Sequence, residues 1–281
     1  ILRIIREKSP PLVLLENVDR LLKSPTSQRG RDFAVMLDSL NDLGYVVEWR
    51  VLDASEYGFP QRRKRVFILG YAPNTELNAS LSSADPLEWL SQEGVLARAF
   101  PVEPHSTISP PSFPLRATSH VDLADISDGF NSQKPGAATP FENCGMMAEG
   151  RVWTSRALAR YGGEGATLGS VLVTPGKVPD EFVLDPVSVT REKGWVYLKG
   201  GKKEQREGRD GFTYRYSEGP VTFPDALERP SRTIVTGEGG TSPSRFKHVV
   251  PFRPTKGQYE RLSLDSSQAR LARETLGLGA K

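Results

Sequence analysis

The chain has 281 residues, 37% of them hydrophobic and 25% charged, enough to bury a sizeable core and to form more than one module. Its 37 Lys plus Arg against 34 Asp plus Glu give a formal charge of +3, too even a balance to mark a nucleic-acid binder by charge alone. One cysteine excludes an internal disulfide, and the absence of a long apolar run or a secretory pattern makes the expected location cytoplasmic, with no membrane partner.

In chain order, Ile1 to Lys8 reads as the tail of an amphipathic helix with Ile1, Ile4 and Ile5 inward. Pro11 to Val18 follows as an apolar run, a strand over 12–15 that delivers Glu16 and Asn17 at its carboxyl end. Open α/β sheets place ligands beyond such strand ends, where a carboxyl can exchange a proton with a ligand; the plainer alternative is an acidic residue that starts a loop. Residues 30–44 carry Phe33, Met36, Leu37, Leu40 and Leu43 at helical spacing, with Gly44 as a carboxyl cap, and 45–52 reads as a strand. Next comes the most informative stretch, Asp53 to Gly70: a turn, then clustered cations, then the β-branched run Val66–Leu69 closed by Gly70. That run reads as a strand covered on both faces, as in parallel α/β sheets. Gln61, Arg63 and Arg65 alternate just ahead of it, so an extended backbone sends all three to one side. An amide and two guanidiniums there suit a phosphate, a carboxylate or the edge of a base; a solvated basic strand start is the alternative.

Past Tyr71 the composition shifts to Ser, Pro, Asn and Ala, and the Pro-rich run from Pro101 to Pro114 excludes a regular helix or a central strand. Trp153, Trp195 and Tyr197 among turns suggest a small, irregular, mostly β module. Lys199, Lys202, Lys203, Arg206 and Arg209 fall in a glycine-rich segment followed by Phe212, Tyr214, Arg215 and Tyr216. Flexible backbone with such cations suits phosphate tracking and major-groove insertion, or else a solvated loop. His105, His120 and His248 do not stand at metal-ligand spacing with one another or with Cys144, so no metal is expected. Gly237-Glu-Gly-Gly240 lacks the Lys-Ser or Lys-Thr of a phosphate-cradling loop.

Three short segments stand in a telling order: Leu-Leu-Glu16-Asn17-Val18, Gln61-Arg-Arg63-Lys-Arg65, and, after a long variable stretch, Arg229-Pro-Ser231-Arg-Thr233. Together they resemble the Glu-Asn-Val, Gln-x-Arg-x-Arg and Arg-Pro-Ser-x-Thr motifs of the DNA (cytosine-5)-methyltransferase family. The resemblance covers roughly residues 1 to 250, and 141–250 also looks like the recognition regions of bacterial and phage members. It implies an α/β fold: the second half of a Rossmann-like methyltransferase sheet, its final strands a hairpin, plus a small irregular mostly β target-recognition domain. The implied division is 1–71 for the catalytic portion, 72–228 for the variable target-recognition region and 229–281 for an incomplete return segment. The implied reaction is methyl transfer from S-adenosylmethionine to C5 of a cytosine flipped out of double-stranded DNA, as in a restriction-modification system. By the same resemblance Glu16 holds or protonates cytosine N3, Arg65 bonds O2, Arg63 braces the nucleophile loop, Gln61 orders the local site and Asn17 aims Glu16. DNA contact would fall to Lys199, Lys202, Lys203, Arg206, Arg209, Arg215, Arg229, Ser231 and Thr233.

The chain also departs from the pattern. The family's glycine-rich turn for S-adenosylmethionine and its Pro-Cys loop, whose thiolate attacks cytosine C6, do not occur among these residues, and Cys144 stands in Phe-Glu-Asn-Cys-Gly, where the recognition region is expected. Cys144 is therefore read as structural. Tyr259 to Asp265 matches the family's last motif only faintly. The expectation is a carboxyl-terminal part, inactive alone, whose amino-terminal motifs lie on the same gene or on a second polypeptide. Two alternatives are a non-catalytic DNA-binding subunit of a split methyltransferase and an RNA cytosine methyltransferase. The long insert between Tyr71 and Arg229 counts against the latter.

Overall fold

A computed structural model describes residues 1–104, 109–116, 123–132, 136–235, 242–251, 256–261 and 266–276. His105, His120, Gly237 to Gly240 and 262–265 lie outside the described residues, as does 105–108 of the Pro-rich run. The chain forms two compact units, one of Ile1–Gly58 with Arg63–Gly165, the other of Phe59–Arg62 with Ala166–Lys281.

The three apolar runs of the first unit become β1 (Leu12–Val18), β2 (Val46–Asp53) and β3 (Lys64–Tyr71). Shorter strands follow: β4 (Val102–Pro104), β5 (Ser112–Pro114), β6 (Cys144–Ala148), β7 (Arg151–Ser155) and β8 (Ala157–Ala159). One six-stranded sheet runs in the order β1-β3-β2-β6-β7-β5, and β4 pairs separately with β8. Every pairing is antiparallel. The parallel arrangement read from the apolar run at 66–69 is thus replaced by two antiparallel neighbours. Burial on both faces, which made the run look parallel, here comes from helices on each side of β3, while the return from β2 needs only a loop and no crossover helix. Gly70 does not end that strand; β3 continues to Tyr71, and the Tyr45 ring fills the space above the glycine. The proline-bearing strand β5 sits at the sheet edge, where a missing N–H costs no ladder bond.

Because side chains alternate along a strand, the sheet has two distinct apolar faces. One presents Val13, Val47, Trp49, Val66, Ile68 and Met147 to Phe33, Leu37 and Leu40 of α2 (Arg31–Asn41). Phe33, Trp49 and Phe141 meet there edge to face, with centroids 4.9 to 5.9 Å apart, the geometry ring quadrupoles favour. The other face presents Val46, Leu69, Tyr71, Cys144 and Met146 to Leu81 of Glu76–Ser83 and to Trp89, Leu90 and Leu96. The result is helix, sheet, helix. That second helical layer was not legible from composition, which marked only a change of character after Tyr71.

At the start of the chain α1 (Leu2–Lys8) buries only Ile5; Ile1 and Ile4 are 79% and 63% exposed, against the inward placement of all three. A helix this short presents one position to the core beneath it. Leu12 and Leu14 on β1 are also exposed, so the second helical layer does not cover this edge of the sheet.

In the second unit, short helices at Pro186–Thr190, Trp195–Lys199 and Ser267–Thr275 gather Val189, Trp195 and Ala272 into a small core. Trp195 and Tyr197, read as parts of a mostly β module, lie on a helix bracketed by Gly194 and Gly200, and Trp153 lies on β7 of the main sheet. The segment read as a flexible glycine-rich loop is instead a hairpin of β9 (Lys202–Glu207) and β10 (Thr213–Glu218).

Gly145, opposite Trp49 on β6, has no room for a side chain, because a Cβ there would fall inside the indole. Gly145→Ala should therefore destabilise the fold by about 1–3 kcal/mol, the usual cost of overpacking. Urea denaturation would check this, with an unchanged midpoint as the contrary result.

Candidate functional site

Register places the charged residues of β1 and β3. Glu16 stands opposite Phe67, and Arg65 stands opposite Val18, so the two lie on the same sheet face, one diagonal step apart. Their ion pair is short, with Arg65 Nε 2.9 Å from Glu16 Oε1, the carboxylate side chain 45% exposed and the guanidinium 18%. Arg65 also donates from Nη1 to the Lys64 carbonyl at 2.7 Å. These two contacts fix the plane of the guanidinium, and Nη2 has no protein partner among the described residues. The arrangement offers a ligand an oriented carboxylate and an oriented N–H donor side by side, the recognition pattern of a planar amide- or amidine-like edge. Asn17 Oδ1 accepts from the Val18 N–H at 2.8 Å, which fixes the backbone just beyond Glu16.

Burial alternates along the basic segment, with Gln61, Arg63 and Arg65 half-buried and Arg62 and Lys64 exposed. Arg63 belongs to the first unit and its carbonyl accepts from the Ala54 N–H at 3.1 Å. Gln61 belongs to the second unit, where its backbone bridges to Ser231. The Arg62 N–H donates to the Ser231 carbonyl at 2.9 Å, and the Ser231 N–H to the Pro60 carbonyl at 2.7 Å. Thr233 Oγ1 donates to the Arg62 carbonyl at 2.6 Å. Two motifs far apart in sequence, Pro60 to Arg62 and Ser231 to Thr233, thus lie side by side in one small parallel pairing. Arg229 is exposed, and Ser231 is buried in this pairing.

On the face that carries Glu16 and Arg65, toward the sheet centre, lie two charges that sequence reasoning did not single out. Buried Glu48 accepts from the Tyr71 hydroxyl, the Trp89 indole at 3.2 Å and the Val95 N–H at 3.1 Å. Buried Arg50 donates to the carbonyls of Leu96 at 3.2 Å, Phe100 at 3.0 Å and Leu90. Burial pushes the Glu48 carboxyl upward, with the bonds from Tyr71 and Leu96 opposing, and burial pulls the Arg50 guanidinium down. Both charges hold the 89–100 segment onto the sheet. The only signal for them in sequence was a polar position on each side of Trp49 in an otherwise apolar strand.

Cys144 is on β6 of the same sheet, beside Arg50, within the first unit. Its thiol is buried, donates to the Ser155 carbonyl at 3.1 Å, and is pushed by desolvation from 9.0 to about 11. It is therefore held as a thiol, inert as a nucleophile.

The cations assigned to nucleic acid divide sharply. Lys199 is buried and donates to the Arg245 carbonyl at 2.9 Å and to the Lys247 carbonyl. Lys202 pairs with Glu218 at 2.9 Å. Arg206 lies 3.5 Å from the Tyr216 ring centroid and bonds Glu204 at 2.7 Å. Lys203, Arg209 and Arg215 are exposed. Among the described residues no group of three or more His, Cys, Asp or Glu side chains could hold a metal ion, and no helix is long and apolar enough to cross a membrane.

Residues 1–146 match the family model for C-5 cytosine-specific DNA methylase. The chain is 40% identical over 252 residues to the Type II methyltransferase M.Sau3AI of Staphylococcus aureus, which covers 89% of this chain and 56% of that protein. It is 46% identical over 78 residues to the Type II methyltransferase M.BsuFI of Bacillus subtilis, covering 28% of this chain and 18% of that one. With the Type II methyltransferase M.NlaIV of Neisseria lactamica it shares 44% identity over 72 residues, 24% of this chain and 17% of the relative. The chain thus spans about half the length of M.Sau3AI.

The raised Cys144 thiol predicts its reactivity. A shift from 9.0 to about 11 lowers the thiolate fraction ~100-fold at neutral pH, so a thiol-specific reagent should label the folded chain at least that much more slowly than the urea-unfolded chain. Equal rates, followed by absorbance, would contradict the burial.

Proposed function

The chain belongs to the C-5 cytosine-specific DNA methylase family, and on that premise we propose that it supplies the base-holding half of a DNA (cytosine-5-)-methyltransferase active site. The observation that carries this reading is the Glu16–Arg65 pair, an acceptor and a donor fixed together on a rigid sheet with one guanidinium edge unengaged. Cytosine presents N3 and O2 along one edge, both of them acceptors, and the pair matches that edge once Glu16 carries a proton: Glu16 then holds or protonates N3 as a donor while Arg65 donates to O2. Protonation or hydrogen bonding there withdraws charge from the ring and makes C6 more susceptible to attack. Each charge-assisted bond contributes about 1.5–3 kcal/mol, enough together to offset the few kcal/mol of unstacking that a flipped base costs.

The sulfur nucleophile comes from outside this chain, since Cys144 is buried as a thiol. Arg63 is assigned to bracing that nucleophile loop, Asn17 to aiming Glu16 and Gln61 to local order. S-adenosylmethionine is the methyl donor expected of the family, but the described residues do not fit it. β1 runs directly into a 3-10 turn at Asp19–Lys23 that holds no glycine, and Gly30, ahead of α2, is packed against Thr139 and Phe141 and leaves no cradle. The donor site is therefore assigned elsewhere, on the same polypeptide or on a second one. Residues 1–71 remain the catalytic portion, a Rossmann-like part; 72–228 remain the variable recognition region, of which the stretch to Gly165 packs with the first unit; 229–281 form the return segment. Double-stranded DNA is the substrate, contacted by exposed cations of the second unit and by Arg229, with Ser231 and Thr233 ordering the segment that carries it. The same pair argues against a purely DNA-binding role, which has no use for a carboxylate and a guanidinium oriented on one open face.

The test is methyl transfer to duplex DNA by this chain together with a polypeptide carrying the nucleophile and donor motifs. Glu16→Gln should lower the rate about 100- to 10,000-fold, the range for loss of a general acid-base group, while duplex affinity is retained. Arg65→Ala should slow the reaction likewise. An undiminished rate in Glu16→Gln would remove the assignment.

A further inference from the structure

The two faces of the β9–β10 hairpin differ in a way that the cation count of this segment does not reveal. Register pairs Tyr214 with Arg206, Tyr216 with Glu204 and Glu218 with Lys202 on one face; Thr213 with Glu207, Arg215 with Gln205 and Ser217 with Lys203 share the other. The first face is satisfied internally. Lys202 pairs with Glu218, Arg206 with Glu204 and the Tyr216 ring, and Phe212 stacks on Tyr214 with centroids 6.5 Å apart. All six residues of the second face are exposed. None of their side chains has a hydrogen-bond or ion-pair partner among the described residues.

We propose that this second face is a base-reading ribbon that enters the major groove of double-stranded DNA, with Arg215 and Gln205, paired across the strands, contacting neighbouring base pairs. The inference rests on the DNA-methyltransferase reading for its substrate, and adds where sequence is read and by which side chains. The major groove admits a two-stranded ribbon, whose strands are about 4.8 Å apart. Arg offers its fork to O6 and N7 of guanine, and Gln offers an acceptor and a donor to N6 and N7 of adenine. Directly opposed residues have Cβ atoms about 5 Å apart, close to the 3.4 Å step between stacked pairs, so the two side chains address adjacent positions: guanine for Arg215, adenine for Gln205. Lys203, next along the face, and Arg209, in the turn, are placed to meet phosphates. The satisfied first face is what makes the ribbon stiff: the Lys202–Glu218 ion pair and the Arg206–Tyr216 contact tie the two strands together, so the reading side chains need not order the backbone when they bind.

The experiment is selection by the full 281-residue chain from a pool of duplexes with a randomised central block, followed by fluorescence anisotropy on the selected duplex and its single-base variants. The wild type is expected to select a site in which guanine is adjacent to adenine. Arg215→Ala should lower discrimination at the guanine by about 5- to 150-fold, and Gln205→Ala at the adenine by a similar factor. Arg215→Lys keeps the charge without the fork, so it should retain overall affinity and still lose the discrimination; full recovery with Lys would make Arg215 a phosphate contact and overturn its role. Lys203→Ala should weaken all duplexes alike and reduce the salt slope by about 1. If the wild type selects a site and both alanine variants keep that selectivity, the ribbon assignment fails while the DNA reading stands. If the wild type binds duplex without preference, the ribbon is not a reader; if it binds no duplex even at low salt, both readings fall.

Discussion

The antiparallel register of β3 between β1 and β2 is the constraint from which the rest follows. Val66 and Ile68 point into the core with Val13, Trp49 and Phe33, so the intervening positions Arg65 and Phe67 must point to the other face. A slip of one residue would drive the Arg65 guanidinium toward the packing of Phe33, Trp49 and Phe141 and move Ile68 to the opposite face. Burial of apolar surface therefore fixes the position of a charged group that itself buries little. The same register sets Glu16 one diagonal step away. The ion pair is thus a product of the fold and contributes little to its stability, since a carboxylate 45% exposed gains only modestly from such a partner.

Glu48 and Arg50 show the opposite economy on the same face. Both are buried on β2, and they point at backbone groups of 89–100 more than at each other: Glu48 takes N–H groups, Arg50 takes carbonyls. A charge out of water is costly unless bonded, and here the irregular segment supplies most of the bonds because its short helical turns leave N–H and C=O ends unpaired; Arg50 Nε is buried with no hydrogen-bond partner among the described residues. Each solves the other's problem: the segment needs partners for its ends, and the charges need a polar shell. This side of the sheet is thereby closed over Cys144 and Met146, and left open over β1, where Leu12, Leu14 and Glu16 face out.

Much of the first unit was legible in sequence because its patterns are strong. Phe33, Leu37 and Leu40 recur at helical spacing and are buried on α2; the runs at 46–53 and 64–71 are β-branched and aromatic. What was missed has common physical causes. Continuous apolar character tells that a strand is covered on both faces but not the direction of its neighbours, so β3 read as parallel. Exposure of Ile1 and Ile4 depends on what covers α1, which periodicity does not contain. Around 199–216, glycines drew attention to flexibility, whereas the alternation from Lys202 to Glu207 and from Thr213 to Glu218 carried the strand signal. The cation count there hides a difference for a related reason: Lys199 and Lys202 bond within the unit, and only pairing partners, which a single sequence does not provide, set such groups apart from exposed ones such as Lys203 and Arg215.

The Gln-x-Arg-x-Arg stretch shows why its members cannot be treated as one cluster. An extended backbone gives Gln61, Arg63 and Arg65 a common side, and their burial follows that period of two. Yet Gln61 and Arg62 are anchored by Ser231 and Thr233 through main-chain bonds, while Arg65 is anchored by the ladder of β3 and by Glu16. The segment therefore has two supports with different chemistry. Replacing the Gln61 side chain leaves its backbone bridge in place, whereas replacing the Arg65 side chain removes the donor itself. Spacing alone made the three look equivalent; the bonds make Arg65 the member whose side chain is held by an acid and Gln61 a member whose backbone is bridged to Ser231.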